Sequence, residues 1–155
     1  MMKKISFASD HAGFHLKKIL IDTAVNLGYH VTDLGTDSAI EAVDYPDYGI
    51  KAVQSILNDE ANLAIILCGT GIGMSILANR FPGIRAAVCH TEFEAEVARQ
   101  HNNANILCLG GRVLGEEIAN RCLKVFLETE FEGGRHQRRL DKIDQFSPAL
   151  LPVQQ

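Results

Sequence analysis

Residues 62 to 68, NLAIILC, place six consecutive apolar side chains after a single asparagine. A run this short, with two isoleucines at its centre and glycines directly behind it, has the length of a strand and presents no polar face to water. Such a strand needs cover on both sides, as the central strands of parallel sheets between helical layers have. The flanking sequence supplies the layers. KKISFAS (3–9) reads as a strand, and in residues 13 to 28 Phe14, Leu16, Ile19, Leu20, Thr23, Ala24 and Leu27 recur near a 3.6-residue period before Gly28, a helix ending in its usual glycine. YHVTDLG (29–35) is a second strand, and Pro46 is suited to opening a helix over 45 to 59.

Strand and helix patterns go on alternating. A helix follows from about Gly73, then GIRAAVC (83–89), TEFEAEVARQHN (91–102), ANILCLG (104–110) and a helix over 114 to 130. Five strand and helix pairs imply an α/β, Rossmann-like three-layer fold: a five-stranded parallel sheet with helices on both faces. After Gly133 and Gly134, a further C-terminal helix carries Leu140, Ile143 and Phe146 as its apolar stripe. One domain over 1–146 is expected, with 147–155 as a tail that is irregular or packed on a partner.

In open parallel sheets ligands bind beyond the carboxyl ends of the strands. That edge offers Asp10 and His11, Cys68 to Gly73, Cys89 and His90, and Gly110 to Arg112. The sequence CGTGIGM (68–74) spaces its glycines GxGxG, which does not fit the GxGxxG of a dinucleotide site. No lysine lies between residues 52 and 123, so a Walker phosphate loop is excluded, and Met74 stands where a cysteine phosphatase needs arginine. What remains is a turn of backbone N–H groups at a helix start, able to hold an anion or a developing oxyanion. The residues alone leave two roles for Cys68: a small core side chain, or a base favoured by the same field. Cys89, Cys108 and Cys122 read as core.

Arg135 and Arg139 are four residues apart and project from one helical face, where both can reach one phosphate, and Arg112 adds a third guanidinium. Of six histidines, His11 follows Asp10 at a strand end and His101 ends a helix, where it can donate a proton. His15 and His30 read as surface residues. His90 ranks lower than His11 and His101, as does His136, about 100° around the helix from Arg135.

The net charge of −4 argues against a nucleic-acid or anionic membrane surface, and no stretch approaches the roughly 18 apolar residues of a span. The first nine residues are too short and polar for a secretory signal. The four cysteines form no CxxC pair and no zinc spacing. A cytoplasmic protein without metal, nucleic acid or membrane partner is expected.

SDHAGF (9–14), DYPDY (44–48), CGTGIGMSILANR (68–80), GIRAAVC (83–89), RQHNNANIL (99–107) and EGGRHQRRLDKI (132–143) together resemble the ribose-5-phosphate isomerase B and galactose-6-phosphate isomerase family of sugar-phosphate isomerases. The resemblance implies a cofactor-free aldose-ketose isomerase working through an enediol or enediolate. It implies Cys68 as the base between C1 and C2, Thr70 assisting transfer between the oxygens, and backbone N–H groups of Gly69, Thr70, Gly71, Ile72 and Gly73 holding the enediolate oxygen. His101 would open the cyclic sugar with Asn102 beside it. Asp10 and His11 would contact substrate, Tyr45 would wall the pocket, and Arg112, Arg135 and Arg139 would bind phosphate. One branch of the family uses a glutamate where Met74 stands, so here the cysteine carries the role. The family also implies a homodimer or dimer of dimers with each pocket completed by the neighbouring chain. D-Ribose 5-phosphate and D-ribulose 5-phosphate are the expected pair. A six-carbon sugar phosphate such as allose or galactose 6-phosphate is the alternative, followed by a non-catalytic phosphate-binding module.

Overall fold

The computed structural model describes residues 3–146; the expected tail 147–155 lies outside them. Five parallel strands, β1 (Lys4–Ser9), β2 (His30–Asp33), β3 (Leu63–Cys68), β4 (Ala86–Val88) and β5 (Ile106–Gly110), form one sheet in the order β2-β1-β3-β5-β4. The helices are α1 (Phe14–Asn26), α2 (Tyr45–Leu57), α3 (Ile72–Ala78), α4 (Glu92–Gln100), α5 (Glu116–Glu128) and α6 (Arg135–Asp144). The three-layer expectation holds. Alternation along β3 divides the core: Leu63, Ile65 and Leu67 join Leu16, Leu20, Ala95, Ala98, Leu123 and Phe126 of α1, α4 and α5. Ala64, Ile66 and Cys68 join Ala52, Val53, Met74 and Ala78 of α2 and α3 on the other face. The sulfur of Cys68 is thereby committed to the α2/α3 side.

Local signals mark the helix boundaries. After α1, Gly28 takes φ +88 and donates to Val25 O at 2.9 Å, while Tyr29 N–H reaches Ala24 O at 3.1 Å. Those two bonds close the carbonyl end of the helix in a left-handed glycine cap. Pro46 sits in the first turn of α2. Thr91 and Glu94 form a reciprocal capping box at the start of α4.

One buried charge and two exposed apolar side chains stand where the sequence pattern did not place them. Lys17 is fully buried, its ammonium 2.7 Å from Asp33 Oδ1 and 2.9 Å from Thr36 O. Since Asp33 Oδ1 also accepts Gly35 N–H at 3.0 Å, this cation ties α1 to the exit of β2. Of the stripe expected on α6, only Leu140 is buried; Ile143 is 61% and Phe146 73% exposed, both lining a groove of about 320 Å³ against Phe81, Ile84 and Arg85.

Replacing Asp33 by alanine leaves the buried ammonium without its counter-ion. Asp33→Ala is expected to lower the free energy of unfolding by about 3 kcal/mol, against less than about 0.5 kcal/mol for the exposed Asp22→Ala. Urea denaturation of both variants measures the difference.

Candidate active site

The strand order reverses between β1 and β3: the chain leaves β1 for β2 on one side and returns to β3 on the other. At such a switch point the connections diverge and leave a crevice at the carboxyl ends. The residues bordering it are Asp10 and His11 after β1 and the Cys68 to Gly73 loop after β3. Gly111 N–H donates to Cys68 O at 2.8 Å and Arg112 N–H to Gly69 O at 3.0 Å, which brings the end of β5 alongside.

The glycines of the loop answer to close packing. Gly71 adopts φ +79, and a Cβ there would stand 3.0 Å from the backbone carbon of Leu109. A side chain is excluded on both counts. At Gly73 a Cβ would lie 2.6 Å from Cζ of Tyr45, so the tyrosine ring covers the first turn of α3 directly. Arg112 extends beside Gly69, its Cδ 3.5 Å from where a Cβ would be.

Cys68 is buried, and its Sγ accepts the Gly71 N–H at 3.1 Å. A sulfur bearing negative charge accepts such a bond better than a neutral thiol does. Burial pushes Cys89 up to about 12 and Cys122 up to about 11, and raises Cys108 well above the ordinary thiol range. Thr70 Oγ1 accepts the Ile72 N–H at 3.3 Å. The amides of Gly71 and Ile72 are therefore already engaged, which narrows the expected cradle to Gly69, Thr70 and Gly73.

Across the crevice, Asp10 is buried and uses Oδ1 to accept Gly13 N–H at 3.1 Å, stiffening the β1 to α1 turn. His11 Nδ1 accepts the Val43 N–H at 3.2 Å. A neutral imidazole that accepts at Nδ1 carries its proton on Nε2, and His11 then becomes a donor at that nitrogen.

His101, Asn102, Arg135 and Arg139 lie elsewhere. His101 caps the C-terminus of α4, which has carried the chain back to the starting edge of the sheet. Ala104 N–H bonds to Ala98 O, and β5 then begins at Ile106, paired with Ala64 near the start of β3. The six residues of β3 span roughly 17 Å at about 3.3 Å per residue, and this sheet depth separates His101 from Cys68. Arg135 opens α6 beside His101, because Glu132 N–H is tied to Gln100 O at 3.0 Å. Arg139 is one turn further along, and Asn102 lines a groove of about 390 Å³ with Leu140 and Ile143. Within one chain, Arg112 thus shares an edge with Cys68 while Arg135 and Arg139 share the opposite edge with His101.

His136, ranked low from its angle to Arg135, is buried and stacks on His101 with ring centroids 4.2 Å apart and planes 7° apart. The missed signal was its spacing of four residues from Leu140, which puts both on the inward face of α6. Glu132, His101 and His136 lie close enough to suggest a metal site. Ring lone pairs lie in the imidazole plane, however, and two nearly parallel stacked rings do not converge on one ion.

Residues 5–143 match the sequence profile of the family described as Ribose/Galactose Isomerase. Ribose-5-phosphate isomerase B of Escherichia coli strain K12 is 44% identical over 142 residues, covering 92% of this chain and 95% of that protein. D-Erythrulose-4-phosphate isomerase of Pectobacterium atrosepticum is 40% identical over 142 residues, covering 92% and 93%. A crystal structure of ribose 5-phosphate isomerase from Thermotoga maritima aligns with a TM-score of 0.90 at 54% identity, covering 94% of this chain and 99% of that one.

At pH 8 a thiol displaced to about 12 is ionised to roughly one part in 10⁴. Brief treatment of the folded protein with iodoacetamide at pH 8 is therefore expected to label Cys68 and spare Cys89, Cys108 and Cys122. Peptide mapping by mass spectrometry reads the result, and label on any of those three ahead of Cys68 contradicts it.

Proposed function

The chain belongs to the ribose/galactose isomerase family and is an isomerase, and from that premise we propose that it interconverts D-ribose 5-phosphate and D-ribulose 5-phosphate with Cys68 as the proton-transfer base. The observation that carries this reading is the buried Cys68 sulfur held by the Gly71 N–H at 3.1 Å, at the switch point of the sheet.

In the open-chain aldose, the thiolate removes the proton on C2. The electrons of that C–H bond form the C1–C2 double bond, and the former carbonyl oxygen becomes the enediolate oxygen. The amides of Gly69, Thr70 and Gly73 meet this charge, while Thr70 helps pass the proton between the two oxygens. Cys68 then returns its proton to C1, and C2 becomes the carbonyl. Preorganised donors of this kind are typically worth about 10² to 10³ in rate, and a positioned base about 10² to 10⁴. No cofactor is needed, because the proton and the electron pair both stay within the substrate and the loop. Asp10, His11 and Tyr45 contact the sugar, and the remote phosphate supplies binding energy that orients it.

His101 opens the cyclic sugar and Asn102 binds beside it. Because these residues stand a sheet's depth from Cys68 in one chain, the pocket takes His101, Asn102, Arg135 and Arg139 from a second copy. Arg112 from one chain and the two arginines from the other clamp the phosphate. A two-fold dimer makes two such pockets at once.

A second reading, a sugar phosphate of different length, has support in the 40% identical relative named for erythrulose 4-phosphate. Parallel turnover assays with four-, five- and six-carbon aldose phosphates decide it; a clear preference for a length other than five overturns the first assignment.

Cys68→Ser is expected to reduce kcat for ribose 5-phosphate by about 10² to 10⁴ while leaving the circular dichroism spectrum and competition by inorganic phosphate unchanged. Retention of most activity would instead favour a thiol with no part in proton transfer. Mixing Cys68→Ser with His101→Ala subunits tests the shared pocket. Random reassociation makes about half the dimers mixed, each with one intact pocket, restoring about a quarter of wild-type activity. A pocket built within one chain gives no recovery.

A further inference from the structure

Residues 101 to 105 turn the chain from α4 into β5, and at their centre Asn103 takes φ +43, one of two positive φ values outside glycine among the described residues. Asparagine enters this left-handed region more readily than most side chains do. A residue there still costs free energy and persists only where its surroundings hold it. Two arginines do the holding. Arg99 donates from Nη1 to Asn103 Oδ1 at 3.1 Å and to Ala104 O, and from Nε to Thr129 O at 3.4 Å. Arg85, just before β4, donates from Nε to Asn103 O at 3.0 Å. Asn105 completes the clamp: its Oδ1 accepts the Arg85 N–H at 2.8 Å and its Nδ2 donates to Gly83 O at 2.8 Å.

Each residue from Asn103 to Asn105 is thus pinned by a side-chain hydrogen bond, given or received. His101 is half-buried and Asn102 exposed, so the two residues before the clamp keep access to a ligand. Stability alone does not call for this arrangement. Two guanidiniums share one turn, and burial and then Arg85 weigh against the charge on Arg99, with Glu130 favouring it. Part of that cost is offset where the Arg99 guanidinium lies 5.6 Å from the centre of the Phe126 ring. A glycine at 103 would make the same turn without help from either arginine. What the clamp adds is a fixed direction for His101 and Asn102.

We propose that Arg99 is a positioning residue: by gripping Asn103 and Ala104, it holds the turn in the shape that presents His101 and Asn102 to the pocket of the neighbouring chain. This rests on the reading of the pocket as shared. A misplacement of about 1 Å caused by a change remote from the chemistry costs on the order of 10² in rate.

Arg99→Met keeps an apolar stem and removes the guanidinium fork. It is expected to lower kcat for ribose 5-phosphate about 10²-fold. Asn103→Gly removes only the side-chain acceptor and suits the positive φ. It is expected to lower kcat about tenfold with little change in the urea midpoint, whereas a merely structural role moves stability and activity together. Subunit mixing then locates the damage. Arg99→Met spoils the His101 end of its chain and leaves the Cys68 end intact. Mixed with Cys68→Ser, it is expected to restore about a quarter of wild-type activity, since about half the dimers gain one intact pocket. Mixed with His101→Ala it restores nothing, because both chains are damaged at the same end. Should Arg99→Met fail to fold, Asn103→Gly mixed in the same two ways reads the same contrast.

The proposal is overturned by undiminished kcat in Arg99→Met, by recovery with His101→Ala, or by a loss that Cys68→Ser does not complement although Cys68→Ser and His101→Ala complement each other. Failure of the underlying readings is separate. It shows as no recovery when Cys68→Ser is mixed with His101→Ala, or as wild-type protein with no turnover of ribose 5-phosphate.

Discussion

β3 is buried at every residue and paired on both edges, to β1 over Leu63 to Leu67 and to β5 over Ala64 to Cys68. A strand held in this way cannot slip by one residue without turning its two apolar faces over, and both faces already belong to packed clusters. The register of β3 therefore dictates which side of the sheet Cys68 addresses. It also gives the glycine loop a rigid base from which to bend toward the end of β5. The Gly71 N–H finds the sulfur because that bend leaves no room for a side chain against Leu109.

The parallel arrangement also divides the residues of the proposed pocket between the two ends of the sheet. Each helix returns the chain to the starting edge, so a residue that follows a strand and a residue that follows a helix lie at opposite ends of the sheet. Asp10, Cys68 and Arg112 follow strands, whereas His101 follows α4 and Arg135 follows α5. An ion or sugar small enough for one crevice does not bridge that depth inside a single chain. The proposed pocket is shared for that reason: a second copy related by a two-fold axis would supply the opposite end without any change of fold.

Much of the architecture was legible because short-range rules were obeyed. Gly28, Pro46 and Thr91 each stand at the helix boundary that their backbone chemistry favours. The strand expected over 83 to 89 proves shorter, Ala86–Val88, since it lies at the sheet edge and pairs only with β5. Lys17 escaped notice because charge is normally taken as a sign of exposure, although its spacing from Leu20 and Ala24 places it on the buried stripe of α1. His136 escaped for a related reason: its direction was judged against Arg135, when the inward face of α6 is defined by Leu140.

By itself, the sequence determined the layers, the order of elements and the loop in which a cysteine meets alternating glycines, because hydrophobic period and turn chemistry are local properties. Only the tertiary structure decided that Gly71 donates to Cys68, that His11 accepts through Nδ1, that Lys17 is sealed against Asp33, and that His101 rests on His136. Each of those contacts joins groups whose meeting depends on how a turn or helix is oriented against its neighbours. That orientation is set by packing across the whole sheet, which no local pattern of residues encodes.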